Sequence, residues 1–455
     1  MRPTSRRSFL KGALFAAGGI ATLSGVGPLV QLAQAQGPRG VPRYYIFAYF
    51  SGGWDILVGL DPRDPRQFTN GNLRQTLIQP GYEMLVGTDG RLVEARTGGR
   101  FGPYIGDLAT HAHRFAVVRG MSMETLTHEV GRRRFITGKP PAGTQARGSS
   151  VLTWLAANLG QDEPIPYVAM QTEAYNVDQP NYATALSANS VADMLRALRP
   201  ANPQLGALED RQLDAFLAEV GACPDALNSS RWQSAESSRL RARDMVTRGL
   251  DRLFDFTAQT PEMERLRGHY GMRANDSTPE AQAAFAAQAI CGGVSRCVSI
   301  QVAGGLDTHF SDWTTNQGPN QRRGFNALAR LIEDLSTREH PGTNTSWLDH
   351  TTIVAFSEFS RTPLLNDRGG RDHALTNACL LAGGNIRGGA IIGASSDVGL
   401  APQAIDLETG DLRGVADGGE VVRPEHILQT LLHDAGMDAA ADLRVNPVTA
   451  LLRNV

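Results

Sequence analysis

Cysteine is scarce in this chain, with four residues in 455, too few to staple a fold of this size, so a disulfide scaffold is excluded. No CxxC pair and no Cys/His zinc-finger spacing occurs, which removes thiolate metal sites. Aromatic residues are only 7%, and neither sign of charge prevails: Lys+Arg 44 stands against Asp+Glu 46, a formal net charge of −2. Without a global basic field nothing draws the chain to nucleic acid or anionic lipid, and any anion recognition must be local. Beyond residue 35 no apolar run approaches the roughly 18 residues a membrane helix requires, so no stable membrane span is expected in the mature chain. Internal repeats and low-complexity tracts are also missing, which excludes solenoid and fibrous architectures. Glycine is plentiful, with 49 residues, and points to many turns and close backbone approaches rather than a helical bundle.

The first residues read as an address. Ser5-Arg6-Arg7-Ser8-Phe9-Leu10-Lys11 is a twin-arginine signature, followed by the Gly/Ala-rich stretch from Gly12 to Val30 and the small-residue site Ala33-Gln34-Ala35. Residues 1–35 are therefore expected to be a signal peptide, recognised by the twin-arginine export machinery and cleaved, leaving 36–455 in the periplasm or secreted. Loss of Arg2, Arg6, Arg7 and Lys11, with no acid among these residues, makes the mature chain mildly acidic. The signature resembles that of export systems carrying already folded proteins, often with a cofactor acquired beforehand.

Along the mature chain, Tyr44 to Phe50 reads as a buried strand running into Ser51-Gly52-Gly53-Trp54-Asp55. Phe115 to Val118, Val298 to Ala303 and Thr351 to Phe356 are three further strands, the last two followed at once by glycines or serine and an acid, Asp307 or Glu358. Between them, Phe325, Leu328, Leu331, Ile332 and Leu335 recur at helical steps, as do Ala242, Met245, Val246, Leu250, Leu253 and Phe254; both sets read as core-facing stripes. Alternating strands and helices predict an α/β three-layer sandwich with a mainly parallel central sheet, whose ligands collect at the carboxyl ends of the strands. The helix-rich segment of about 202–279 reads as an elaboration on a single domain of 36–455.

The chemistry-bearing residues follow the same strand ends. Glu358 and Arg361 precede the glycine loop Gly369-Gly370-Arg371-Asp372-His373; Asp307 and His309 flank Thr308; Asp55 closes the first strand's loop. Asp55, Asp307, His309, Glu358, Asp372 and His373 thus form a mixed oxygen and nitrogen set suited to zinc or manganese, or with fewer imidazoles to calcium or magnesium, as one or two divalent metals. Thr127-His128-Glu129 opens a helix bearing Arg132, Arg133 and Arg134, whose N-terminal dipole suits an anionic ester and its nucleophile; the plain alternative makes Thr127 an N-cap and the arginines a solvated face. Cys291 and Cys297 could pair after export, while Cys223 and Cys379 read as buried singles.

On the leader, Gly52-Gly53-Trp54-Asp55, Thr127-His128 leading to Thr137-Gly138, Gly305 to His309, Ser357 to Thr362 and Gly370-Arg371-Asp372-His373, the chain resembles the exported family catalogued as domain of unknown function 1501, itself similar to the alkaline phosphatase and sulfatase superfamily. The likeness continues through Leu380 to Gly384 and a final helix from Pro424 to Gly436. It implies an alkaline phosphatase-like fold, metal ligands at Asp55, Asp307, His309, Asp372 and His373, and a nucleophile at Thr127 or His128. Neither is the cysteine that sulfatases modify. Glu358-Phe359 stands where the relatives carry Asp-His, which removes one imidazole from the implied set.

Two functions are therefore carried forward. One is an exported metal-dependent hydrolase of phosphate or related, including sulfate, esters, in which Thr127 attacks and the arginines near 132–134 or Arg361 hold the anion. The alternative is a catalytically degenerate exported binding or assembly protein on the same fold.

Overall fold

The computed structural model describes residues 42–143, 145–199 and 206–453; the expected leader lies outside them. An eight-stranded sheet forms the middle layer. Its strands are β1 (Tyr44–Phe50), β2 (Phe115–Ser122), β3 (Tyr167–Met170), β4 (Leu186–Ala188), β5 (Cys297–Ala303), β6 (Thr351–Phe356), β7 (Thr376–Gly383) and β8 (Ile391–Ile392), in the order β8-β2-β7-β6-β1-β5-β3-β4. Every neighbouring pair is parallel except those of β7, which runs antiparallel to both β2 and β6.

Alternation along β1 builds both cores. Ile46, Ala48 and Phe50 face one side and pack with helices α3 (Pro279–Cys291) and α4 (Gly318–Thr337), while Tyr45, Phe47 and Tyr49 face the other with α1 (His128–Thr137), α2 (Val151–Leu159) and α5 (Pro424–Asp434). A parallel strand covered on both faces needs apolar residues at every position, and β1 and β6 are buried throughout. The predicted helical stripe from Phe325 to Leu335 lies in α4 and is fully buried. The three-layer α/β expectation therefore holds.

The segment beyond residue 206 is helical, with helices Ala207–Gly221, Pro224–Asn228, Ser230–Thr247 and Pro261–Tyr270. Its second predicted stripe is corrected. Helix Ser230–Thr247 fully buries none of its residues, and Val246 is 46% exposed; Met245 and Leu253 pack against the core only in part, and Leu250 and Phe254, beyond the helix end, are buried in it. The cysteine expectations change as well, since all four are free and Cys223 is exposed. Among the described residues no helix is long and apolar enough to cross a membrane.

Candidate metal centre

Strands β1, β2, β5 and β6 all end at one edge of the sheet, and β7, running the other way, begins there. In register, Tyr49 lies beside Phe356 and Phe50 beside Ala303, so the loops carrying Gly52, Glu358 and Asp307 leave at one level. The loop after β2 leads to His128 at the start of α1, and His373 sits just ahead of β7. Close backbone approach makes this convergence work. Gly52 has φ +108, and a Cβ there would lie 2.7 Å from the Asp307 nitrogen; its own N–H donates to Glu358 Oε1 at 2.9 Å.

His128, Asp307 and His373 each place a ligand atom within 4.8 Å of the others. Asp307 Oδ1 lies 3.3 Å from His128 Nε2, 3.1 Å from His309 Nε2 and 3.2 Å from His373 Nε2, and the last two nitrogens are 2.9 Å apart. The opposite ring nitrogens are all held by oxygen. His128 Nδ1 is 2.7 Å from Glu358 Oε1, His309 Nδ1 is 2.6 Å from Asp372 Oδ1, and His373 Nδ1 is 2.6 Å from the Leu126 carbonyl. Carboxylates and carbonyls only accept, so each Nδ1 carries the proton in the neutral ring and each Nε2 presents a lone pair. Three lone pairs and a carboxylate oxygen thus face one another, an arrangement short of positive charge.

The electrostatics agree. Partial burial pushes the Asp307 carboxyl up, but the hydrogen bond and positive charge of Arg361 hold it down at about 2. The hydrogen bond to Glu358 raises the basicity of His128, and that from His309 lowers Asp372. Burial would raise Glu358, yet the His128 contact and the Gly52 N–H keep it ionised below the usual range. The cluster is open on one side, since the Asp307 side chain is 51% exposed while those of the three histidines are 18–27%. A cavity of about 650 Å³ lies elsewhere, between Glu163, Trp232 and Leu240, and no residue of the cluster lines it.

Not every predicted residue arrives. Asp55 is fully buried, and its oxygens are occupied by the Leu57 N–H at 2.9 Å, Trp313 Nε1 at 2.9 Å and Arg371 Nε at 3.2 Å; it stands apart from the convergent ligand atoms. Glu358 and Asp372 reach the site through histidines rather than at its centre. Thr127 is the exposed N-cap of α1, its hydroxyl making no cap bond, between Leu126 and His128. The arginines expected to hold an anion are paired with the protein: Arg132 and Arg133 with Glu173, Arg134 with Glu425 and Glu124. Arg361 is wholly buried and bonds Asp307 and backbone carbonyls. His128, expected as a nucleophile candidate, instead joins the ligand atoms; the His-Glu step at 128–129 gave no sign of that, because its partners are more than 170 residues away.

A three-layer α/β protein with a histidine and carboxylate cluster at the carboxyl edge of its sheet is the class these features define. Residues 45–440 match the family described as protein of unknown function (DUF1501), and the chain belongs to that family. No curated protein sequence matches it. Among solved structures it is similar to Ps i-CgsB in complex with k-i-k-neocarrahexaose, at 8% identity over 90% of this chain and 75% of that one with a TM-score of 0.38. It is also similar to a protein in the alkaline phosphatase superfamily from Vibrio parahaemolyticus, at 10% identity over 90% and 71% of the two chains, again with a TM-score of 0.38.

Proposed function

We propose that this protein is an exported, metal-dependent hydrolase of phosphate or related, including sulfate, esters. The observation that carries the reading is the gathering of three imidazole Nε2 atoms at 3.1–3.3 Å from Asp307 Oδ1, those of His309 and His373 being 2.9 Å apart, with every Nδ1 tied to an oxygen. Metal-ligating histidines characteristically donate their second ring N–H to a carboxylate or carbonyl. Donor atoms bound at ~2 Å from one ion sit about 3 Å apart. His128, Asp307, His309 and His373 would hold the ion, and a nitrogen-rich set of this kind favours zinc or manganese over calcium or magnesium.

When bound, a divalent ion supplies Lewis-acid polarisation of the ester oxygen and stabilises the leaving oxygen. Glu358, Asp372 and the Leu126 carbonyl keep the imidazoles in the tautomer that binds. The exposed hydroxyl of Thr127, between two residues tied to the cluster, is the nucleophile this reading assigns. With residues 1–35 read as a twin-arginine leader, the reaction would take place in the periplasm or outside the cell.

A second reading, a degenerate binding or assembly protein, is favoured by one observation: Arg132, Arg133, Arg134 and Arg361 all have protein partners, so none is reserved for an anion. Elemental mass spectrometry on the mature protein, purified without chelator, with a screen of aryl phosphates and sulfates, separates the two. The hydrolase reading expects bound metal that is lost in His373→Ala, together with turnover. Metal without turnover of any ester supports the binding protein, and no metal in folded protein refutes the metal centre.

A further inference from the structure

We infer that the centre is mononuclear and that the guanidinium of Arg361 fills the position a second cation would take. The inference rests on the metal-centre reading and adds what stands beside the ion. Arg361 comes from the short strand Ser360–Arg361, paired with His373–Ala374, and is completely buried. Its Nε donates to the Gly53 carbonyl at 3.1 Å, Nη1 to the Arg371 carbonyl at 3.2 Å, and Nη2 to the Gly52 carbonyl and, at 2.7 Å, to Asp307 Oδ1. Three carbonyls and one carboxylate oxygen therefore enclose a single buried positive charge, an all-oxygen set of the kind that holds hard cations.

This oxygen cage adjoins the imidazoles, because Arg361 Nη1 lies 3.5 Å from His309 Nε2. Asp307 Oδ1 serves both, and a carboxylate oxygen has the lone pairs to do so. The backbone is shaped to the guanidinium: Gly53 has φ +80, and a Cβ there would meet Phe359 Cε2 at 2.6 Å and Arg361 Nη2 at 3.1 Å. Asp55, the other acid implied as a ligand, is closed off in the same manner by the fully buried Arg371 at 3.2 Å.

Charge counts against a second metal. Asp307, Glu358 and Asp372 oppose Arg361 and Arg368, so with neutral imidazoles the surroundings carry one net negative charge. One divalent ion turns that into one positive charge, suited to an anionic ester. Two would leave three positive charges in a half-buried site, where uncompensated charge is costly.

The test is equilibrium dialysis of the full mature chain against zinc, then against calcium, read by elemental mass spectrometry. Wild type is expected to saturate at one equivalent. Arg361→Ala, which empties the oxygen cage, is expected to gain a second equivalent as calcium, whereas Arg361→Lys, which keeps a cation there, stays at one. Two equivalents in wild type, or no additional calcium in folded Arg361→Ala, overturns the inference. If Arg361→Ala does not fold, wild type and Arg361→Lys decide alone, a second equivalent in either overturning it. No metal in wild type refutes instead the metal-centre reading beneath it.

Discussion

Replacing Gly131 by alanine sets two well-known effects against each other. Gly131 lies in α1, three residues after His128. In an open helix the change stabilises by roughly 0.5–1 kcal/mol, because glycine loses more backbone entropy on folding. Here a Cβ would stand 2.2 Å from the carbonyl oxygen of Glu358 and 3.0 Å from its carbon, where ordinary contact begins at 3.4 Å. The obstacle is backbone, which no rotamer change moves, so helix and strand end must part by about 1 Å, and overpacking of this kind costs ~1–3 kcal/mol. Packing outweighs propensity, and a net loss of about 1–2 kcal/mol is expected. The same displacement draws His128 from Glu358, now 2.7 Å away, and from Asp307, 3.3 Å away. Disturbing the partner of a ligating histidine lowers metal affinity about 10- to 100-fold. Urea unfolding and zinc competition against a chromophoric chelator measure both. Gly268→Ala in helix Pro261–Tyr270, where a Cβ meets nothing within 4 Å, is the control and is expected to stabilise by ~0.5–1 kcal/mol. A Gly131→Ala protein as stable as the control, with unchanged zinc affinity, would refute the claim that this contact sets the position of His128.

Leu331→Ala in α4, at a fully buried position, is expected to cost about 2–5 kcal/mol, and Val246→Ala in the elaboration, 46% exposed, less than ~0.5 kcal/mol, both read from urea midpoints; equal losses would contradict the assignment of core and surface. Glu173 gives a pH dependence: burial raises its carboxyl, but bonds from Arg132, Arg133 and Tyr175 more than offset this and leave it below the ordinary value. A depressed folded pKa contributes stability that is complete above the unfolded value, near 4.3, and fades as pH falls through the folded one. Glu173→Gln should therefore be less stable than wild type at pH 7, by about 1–3 kcal/mol, with the gap closing below pH ~4; a gap that persists undiminished at pH 2.5 would contradict the cause given.

How far the sequence carried the fold depended on what each segment buries. Tyr44–Phe50 and Thr351–Phe356 were legible to the residue, because a doubly covered parallel strand is a continuous apolar run and both stop at serine. Strand β7 was not: it reads Thr-Asn-Ala-Cys-Leu-Leu-Ala-Gly, small residues without alternation, and nothing in it states its reversed direction. Asp307, His309, Asp372 and His373 were singled out because acids and histidines beside strand-end glycines suit such an edge, and the structure brings them together there. Asp55 met the same rule and is engaged elsewhere, since the rule is blind to Arg371 and Trp313, which approach it from more than 250 residues away. The arginines of α1 misled for the same reason, because the carboxylates that neutralise them, Glu173 and Glu425, are remote in sequence.

The reversed strand is what completes the cluster. In a wholly parallel sheet the carboxyl edge receives only strand exits; because β7 enters at that edge, His373 joins His128, which follows β2, and Asp307 and His309, which follow β5. The oxygens that orient the imidazoles cross between these segments: His128 is held by Glu358 after β6, His309 by Asp372 ahead of β7, and His373 by Leu126 after β2. No histidine is oriented by its own loop, so the four donor atoms cannot be preassembled before the sheet closes. A cation taken up there links the exits of β2 and β5 to the entry of β7, and its binding energy adds to the stability of the folded chain alone.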